Sequence, residues 1–204
     1  MLRLHVQALL QVVMMAGIIK DTDLRKYYMD ICIDLGVGDE GNAPFSDVFN
    51  DINLSLKPFY FEIKTVVVRE YETNQRVYYH GFTNTQDDAV AKNYGGKLTD
   101  KEVTMYRHIL DQLVLDHQLS TADVALTVRE LSAGFGTVRN DELQKTLQSL
   151  LQQGWLERND RNFWEVGPRA YLELRGHIEG VMRANLEAAA LEEQLAQLPQ
   201  ILFY

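Results

Sequence analysis

The stretch from Asn140 to Val166 constrains the fold most strongly, because an amphipathic helix there runs directly into a short aromatic hairpin. Asn140 is placed to cap the start of this helix, and Gly154 is placed to end it in a left-handed conformation. Two segments of alternating polarity follow, on either side of a turn at residues 159–161. The apolar residues at helical spacing are Leu143, Leu147, Leu150 and Leu151. This order is typical of the last helix and the wing of a winged-helix domain.

The first part of the chain predicts the same order of elements. Three helices are expected here. The first covers residues 4–16, the second begins at about Asp21, and the third ends before Pro58, which cannot continue a helix. Strands rich in aromatic and β-branched residues are expected over residues 59–69 and 76–83. Three helices followed by a hairpin again indicate a winged helix.

The second unit carries its own start signals. Thr99 and Glu102 form a predicted capping box, and Ser120 or Thr121 is placed to cap the next helix. A glycine-containing turn at residues 132–136 is then expected before the helix at Asn140.

We therefore predict a mainly α protein with small β hairpins, an α+β fold. A first winged-helix domain is expected over residues 1–84, a linker over 85–98, and a second winged-helix domain over 99–167. Pro168, at a first helical position, is expected to start a long C-terminal helix over 168–204. A chain of 204 residues is long enough for two compact domains.

Charge and cysteine content exclude several classes of function. The single cysteine, Cys32, cannot form an internal disulfide or a multi-thiolate zinc site. The net charge is −9, and no region of the chain is basic. Because nucleic-acid affinity depends on neutralising phosphates, we expect the chain to bind duplex DNA weakly, or only with a partner's charge.

The first helix carries apolar residues that its own core is not expected to cover. Val12 and Met15 project away from the predicted core stripe, so we predict a partner interface there. The core stripe consists of Leu2, Val6, Leu9, Leu10 and Val13.

Winged helices often bind DNA through the third helix and the wing. The best candidates for DNA contacts are Arg139, Lys145, Arg158 and Arg161, and the competing interpretation is ordinary solvated surface charge. Acidic residues accompany these cations, namely Asp141, Glu142, Glu157 and Asp160. A winged helix adapted to protein contacts explains this pattern better than direct DNA binding.

Nothing in the sequence indicates an active site or a cofactor. The glycines at residues 36–41 match a dinucleotide-binding pattern, but a helix precedes them and Asp39 and Glu40 would repel phosphate. Glu173 and His177 are four residues apart, which is the usual spacing of an exposed helical pair. The apolar run near the amino terminus is too short to span a membrane, so no membrane partner is expected.

Three segments, residues 9–28, 52–64 and 147–174, resemble the non-SMC element one subunit of the SMC five/six complex. The similarity is carried by a scattered apolar framework and covers nearly the whole chain. It implies tandem winged helices that pair with a MAGE-fold subunit, contact the kleisin subunit, and reach the SMC five/six heads through these partners. It also implies a role in DNA repair by homologous recombination and chromosome maintenance, in the nucleus and on chromosomes.

In that family a RING-like zinc domain follows the long helix and confers ubiquitin-ligase activity with a ubiquitin-conjugating enzyme. No such domain is present in these residues, so no zinc ligand carries over, and we expect no ligase activity from this chain alone. The apolar end at residues 198–204 is expected to lead into that domain. The alternative is a tandem winged-helix transcription regulator that binds duplex DNA directly.

Overall fold

The computed structural model describes residues 2–38, 44–69, 75–85, 98–135 and 138–204, with residues 131–135 described by their backbone only. The chain divides into two compact units. The first is Met1–Asp88 together with Pro199–Tyr204, and the second is Ala89–Leu198. The structure is mainly helical with small antiparallel sheets, so the predicted α+β class is confirmed. The predicted domain limits themselves stay predictions.

The first unit has the winged-helix order of elements. These are α1 Leu4–Ala16, β1 Ile18–Lys20, α2 Asp21–Asp34, α3 Phe45–Leu56, a 3₁₀ turn Lys57–Phe59, β2 Phe61–Arg69 and β3 Arg76–Asn84. The strands form an antiparallel sheet in the order β1, β3, β2, and a later strand adds to β2. Apolar faces of the three helices pack on this sheet around Leu9, Leu24 and Phe49, each of which is fully buried.

The second unit repeats this order. Its elements are α4 Asp100–Asp116, α5 Thr121–Phe135, α6 Asn140–Gln152, β4 Leu156–Arg158 and β5 Trp164–Val166. An isolated bridge between Leu119 and Trp164 takes the place of a first strand. The predicted capping box of Thr99 and Glu102 is present, and Ser120 caps α5 by exchanging hydrogen bonds with Asp123.

The end of α6 also follows the prediction. Gly154 has a φ of 73°, and the amide of Trp155 donates to the carbonyl of Leu150 at 2.9 Å. This six-residue bond is the Schellman arrangement, which satisfies a carbonyl that the helix end would otherwise leave unpaired.

Some local predictions differ from the structure. Arg139, not Asn140, is the N-cap residue of α6, and its side chain makes no capping bond. The helix α5 continues to Phe135, through most of the turn expected at residues 132–136. The strand β1 was not predicted, because three residues are too few for a periodic signal.

The predicted long C-terminal helix is wrong. Residues 168–204 instead form α7 Pro168–Glu173, α8 Arg175–Asn185, α9 Ala188–Gln197 and a strand, β6 Gln200–Leu202. The first break is at Leu174, which leaves helical geometry with φ −118° and ψ 18°. The second is at Leu186, where the backbone is extended with φ −108° and ψ 144°. Apolar periodicity continues across both breaks, so it did not reveal them.

The apolar end of the chain completes the first unit. The strand β6 pairs with β2 in antiparallel register, with Ile201 opposite Val66. The ring of Tyr204 lies 5.5 Å from that of Phe49, and the amide nitrogen of Asn53 donates to the Tyr204 carbonyl at 3.4 Å. The end residues therefore extend the sheet of the first unit, and Tyr204 packs, partly buried, against its core.

Gly167 allows the second hairpin to close onto the end of α6, which generates a stability prediction. A Cβ atom at residue 167 would lie 2.3 Å from the Gly154 carbonyl oxygen and 2.7 Å from the Trp155 carbonyl carbon. Both neighbours are backbone, so they cannot move aside cheaply. We expect Gly167→Ala to lower the free energy of unfolding by about 3 kcal/mol, the upper end of overpacking effects.

Tryptophan fluorescence during urea unfolding measures this change, because both tryptophans of the chain, Trp155 and Trp164, are buried in the second unit. Gly180→Ala is the matched control. A Cβ at residue 180 meets nothing within 4 Å, and alanine in a helix interior is expected to raise stability by about 1 kcal/mol. Equal unfolding midpoints for the two variants would contradict the close approach at Gly167.

Candidate interaction surfaces

The first helix of the first unit turns apolar side chains outward. Met15 is 89% exposed and Leu4 is 64% exposed, and both lie on the side of α1 opposite to the buried Val13. Met15 therefore projects from the core as predicted. Val12 does not, because it stands two turns after the buried His5 and packs, half-buried, against the core.

The second helix adds outward apolar side chains. Ile33 is 73% exposed and Met29 is 47% exposed, one turn apart on α2. We name the exposed apolar residues of these two helices the α1–α2 surface. Its members are Leu4, Met14, Met15, Tyr27, Met29 and Ile33. Because α1 and α2 pack against each other, their exposed apolar side chains are candidates for a protein interaction site.

A buried histidine fixes the start of α2 to the sheet. The Nε2 atom of His80 lies 3.0 Å from an oxygen of Asp21, and its Nδ1 atom lies 2.8 Å from the hydroxyl oxygen of Thr65. Asp21 can only accept, so Nε2 carries the proton, and the Thr65 hydroxyl donates to Nδ1 in the neutral ring. The bonds resemble a nucleophilic triad, but the exposed fraction of Thr65 is 0%. The arrangement is therefore structural.

Asp21 has a perturbed pKa. Partial burial raises the pKa of its carboxyl group, but the hydrogen bond from His80 and the ion pair with Arg25 lower it more, so the net direction is downward. The Arg25 Nε atom lies 2.7 Å from Asp21, and the guanidinium also lies 4.5 Å from the centre of the Phe45 ring. No local sequence pattern indicates this network, because His80 and Asp21 are 59 residues apart.

The start of α6 is acidic and partly neutralised within the unit. Arg139 lies 3.5 Å from Asp141, and the carboxylate of Glu142 lies 2.6 Å from the Lys101 amine on α4. This contact is the main reason that the pKa of Glu142 is lowered. Lys145 is exposed on the same helix. One of the predicted DNA-contact residues, Arg139, thus lies beside a carboxylate.

The two arginines of the wing make different contacts from those of Arg139 at the start of α6. The Arg158 guanidinium lies 4.4 Å from the centre of the Trp164 ring and donates to the Thr121 hydroxyl at 3.1 Å. Arg161 is exposed at the turn, where its amide donates to the side chain of Asn159. The structure therefore places Arg158 and Arg161 on one hairpin, with Arg158 occupied in packing. Whether these four cations contact DNA stays a prediction.

The remaining motifs do not form a catalytic or metal site. The predicted pair of Glu173 and His177 is wrong, because Glu173 binds Arg169 at 2.7 Å and His177 binds Asp111 at 2.7 Å. The glycine pattern at residues 36–41 lies partly outside the described residues. In the part of the chain that the structure describes, no three His, Cys, Asp or Glu side chains are placed to hold a metal ion. Likewise, none of the described helices is long and apolar enough to span a bilayer.

Comparisons with known proteins decide the family. Residues 6–174 match the family model described as the Nse1 non-SMC component of the SMC5-6 complex. This chain belongs to that family. A chain in a solved structure titled "Nse1-Nse3-Nse4 complex" has a similar fold, with a TM-score of 0.72 and 18% sequence identity. The match covers 90% of this chain and 77% of that one. At that identity the likeness shows the fold. No curated protein sequence matches the chain.

The Asp21 network in this Nse1-family chain gives a pH prediction. Since the pKa of Asp21 is lowered in the folded state, its stabilising effect is present above the ordinary carboxyl pKa. The effect is lost as the pH falls through the lowered value. We expect Asp21→Asn to destabilise the chain by about 1–2 kcal/mol at pH 7 and to have little effect in strong acid.

Chemical unfolding followed by circular dichroism over a range of pH measures this difference. Asp23→Asn is the matched control, because that side chain is 52% exposed and lies 3.6 Å from Lys26 in the same helix. A loss of stability that is the same for both variants, or that persists in acid, would argue against a specific role for His80 and Asp21.

The position of Arg158 gives a second prediction. We expect Arg158→Ala to lower the stability of the second unit by about 1 kcal/mol, because it removes a cation over an aromatic face and a hydrogen bond to Thr121. Lys145→Ala is expected to change stability little, since that side chain is exposed. Tryptophan fluorescence reports both, and an unchanged unfolding midpoint for Arg158→Ala would show that the contact does not stabilise the wing.

Proposed function

We propose that this chain is an assembly subunit of the SMC5-6 complex that pairs with the MAGE-fold subunit, Nse3, and contacts the kleisin, Nse4. The observation that carries the proposal is the family match over residues 6–174. The similar structure is titled as a complex of these three proteins, which supports the two partners. In this proposal the chain reaches the SMC heads indirectly, through these two partners. The work of such a subunit is DNA repair by homologous recombination and chromosome maintenance, in the nucleus and on chromosomes.

The α1–α2 surface supports the pairing with the MAGE-fold subunit. Its side chains are exposed, and the outward position of Met15 opposite Val13 means that the core of the first unit does not use it. Burying one exposed methionine side chain contributes about 1.5–3 kcal/mol, enough for a tenfold to hundredfold change in affinity. Methionines also adapt to irregular partner surfaces.

Direct DNA binding by this chain is the less favoured alternative. The net charge is −9, and Arg139 and Arg158 are engaged within the second unit. Without a concentration of cations, the chain lacks the phosphate neutralisation that a transcription regulator needs. We propose that any DNA contact by Arg139, Lys145, Arg158 and Arg161 occurs in the assembled complex, where a partner supplies positive charge.

Ubiquitin-ligase activity belongs to a RING-like domain in our proposal. The only cysteine of the sequence, Cys32, is buried in α2, and the described residues hold no group of metal-ligating side chains. These residues therefore do not fit the zinc site that the resemblance implies. We therefore assign zinc and the ubiquitin-conjugating enzyme to residues other than these 204.

The test of the pairing is Met15→Asp. We expect a stable one-to-one complex of the unaltered chain with the MAGE-fold subunit, and at least tenfold weaker binding by the variant, because a carboxylate would be buried against apolar partner groups. Size-exclusion chromatography with light scattering gives the stoichiometry, and calorimetry gives the affinity. Circular dichroism should show an unchanged fold, since Met15 is 89% exposed.

Leu54→Asp is the matched control, because Leu54 is an exposed helical leucine of α3 outside the α1–α2 surface, 65% exposed. Equal losses for both variants would indicate a general charge effect. Full affinity for Met15→Asp would remove α1 from the interface, and failure of the unaltered, folded chain to pair would overturn the proposed function.

A further inference from the structure

The second unit contains a groove of about 750 Å³ between α4, α5 and α8. Both α5 and α8 pack against α4. His108 and Asp111 of α4, Glu130 of α5 and Gly180 of α8 are among the residues that line it. Its volume is in the range of about 300–1,000 Å³ that is usual for ligand-binding clefts. The groove belongs to the second unit, whereas the α1–α2 surface belongs to the first.

The glycines of α8 are not explained by packing within the described chain. Gly176, Gly180 and Ala184 follow one another every four residues on the groove side of α8. A Cβ on either glycine would meet no atom within 4 Å. Glycine is a poor helix former, and its usual justification is that another backbone comes close. Since no described neighbour within the chain does so, the open space suits an approaching backbone from outside it.

The fixed charges of the groove are negative. Asp111 and Glu130 line it, and no lysine or arginine is found among its described lining residues. His177 lies 2.7 Å from Asp111 and offsets that charge only when protonated. His108 likewise adds positive charge only when protonated. Carboxylates on both α4 and α5 therefore favour a cationic occupant.

We propose that this groove binds an amphipathic helix bearing lysine or arginine from another chain of the assembly; the inference rests on the proposed function. The small residues of α8 extend over two helical turns, about 12 Å, which suits a helix lying alongside α8. Small side chains bring two helix axes to the short end of the usual 8–10 Å separation. Apolar residues of the helix contact Leu115 and Val181, and its cations meet Asp111 and Glu130.

The test uses the full chain reconstituted with Nse3 and Nse4. A photo-crosslinking amino acid, p-benzoylphenylalanine, replaces Thr127, which lines the groove, and mass spectrometry identifies the crosslinked peptide. We expect a segment of another subunit with helical apolar spacing and lysine or arginine on one side. The same amino acid at Glu192, exposed on α9, sets the background.

Blocking variants test occupancy without destabilising the fold. Gly180→Leu places a large side chain in the groove and should lower the crosslink yield at least tenfold. Gly180→Ala, the matched control, adds a single methyl group in open space and should keep most of the yield. Glu130→Gln should weaken binding and reduce its dependence on salt. Tryptophan fluorescence confirms that each variant is folded.

The outcomes separate the two proposals. If the unaltered chain forms no complex by light scattering, the proposed function fails, and this inference fails with it. If the complex forms but the Thr127 crosslink does not exceed the Glu192 background, only the groove inference is overturned. It is also overturned if Gly180→Leu retains the crosslink, or if the crosslinked segment is acidic, non-helical, or from a second copy of this chain.

Discussion

The exit of the chain from its third helix is the constraint on which both winged helices depend. Each unit makes this turn with a residue at positive φ, 61° at Tyr60 and 73° at Gly154. Glycine adopts that conformation freely, whereas a residue with a side chain loses about 1–2 kcal/mol. In the second unit the Gly154 carbonyl also accepts a hydrogen bond from the Arg169 amide at 3.1 Å, so this turn is bonded to α7.

The first unit holds Tyr60 in place through hydrogen bonds on both sides. The Tyr60 carbonyl accepts from the Thr85 amide at 2.8 Å, at the open end of the hairpin. The buried side chain of Asn53 accepts from the Ile63 amide at 2.7 Å and donates to its carbonyl at 3.0 Å. These bonds connect α3 to β2, so they offset the cost of the left-handed residue. The same topology is thus stabilised by different local chemistry in the two units.

Features that are stabilised by residues close together in the sequence could be predicted, whereas features that depend on distant residues could not. The capping box at Thr99 and the left-handed Gly154 depend on neighbours within six residues, and both could be predicted. The pairing of β6 with β2 and the bond of His80 to Asp21 join residues that are far apart, and no local pattern encodes them. The breaks around α8 were also missed, because apolar spacing continues through Leu174 and Leu186. For the candidate surfaces, the exposure of Met15 was predictable from helical periodicity, whereas the open groove at Gly180 depends on three helices.

The surfaces proposed for partners use residues that the fold does not require. Met15 lies opposite the buried face of α1, and Gly180 faces open space, so substitution at either position leaves the core intact. The positions that the fold does require, such as Gly167 against the Gly154 peptide, are buried and far less tolerant. A common framework persists at 18% identity and a TM-score of 0.72, so this fold tolerates extensive substitution. Because a fold can carry different functions, we propose that these exposed side chains, rather than the winged helices as such, set the partners of this chain.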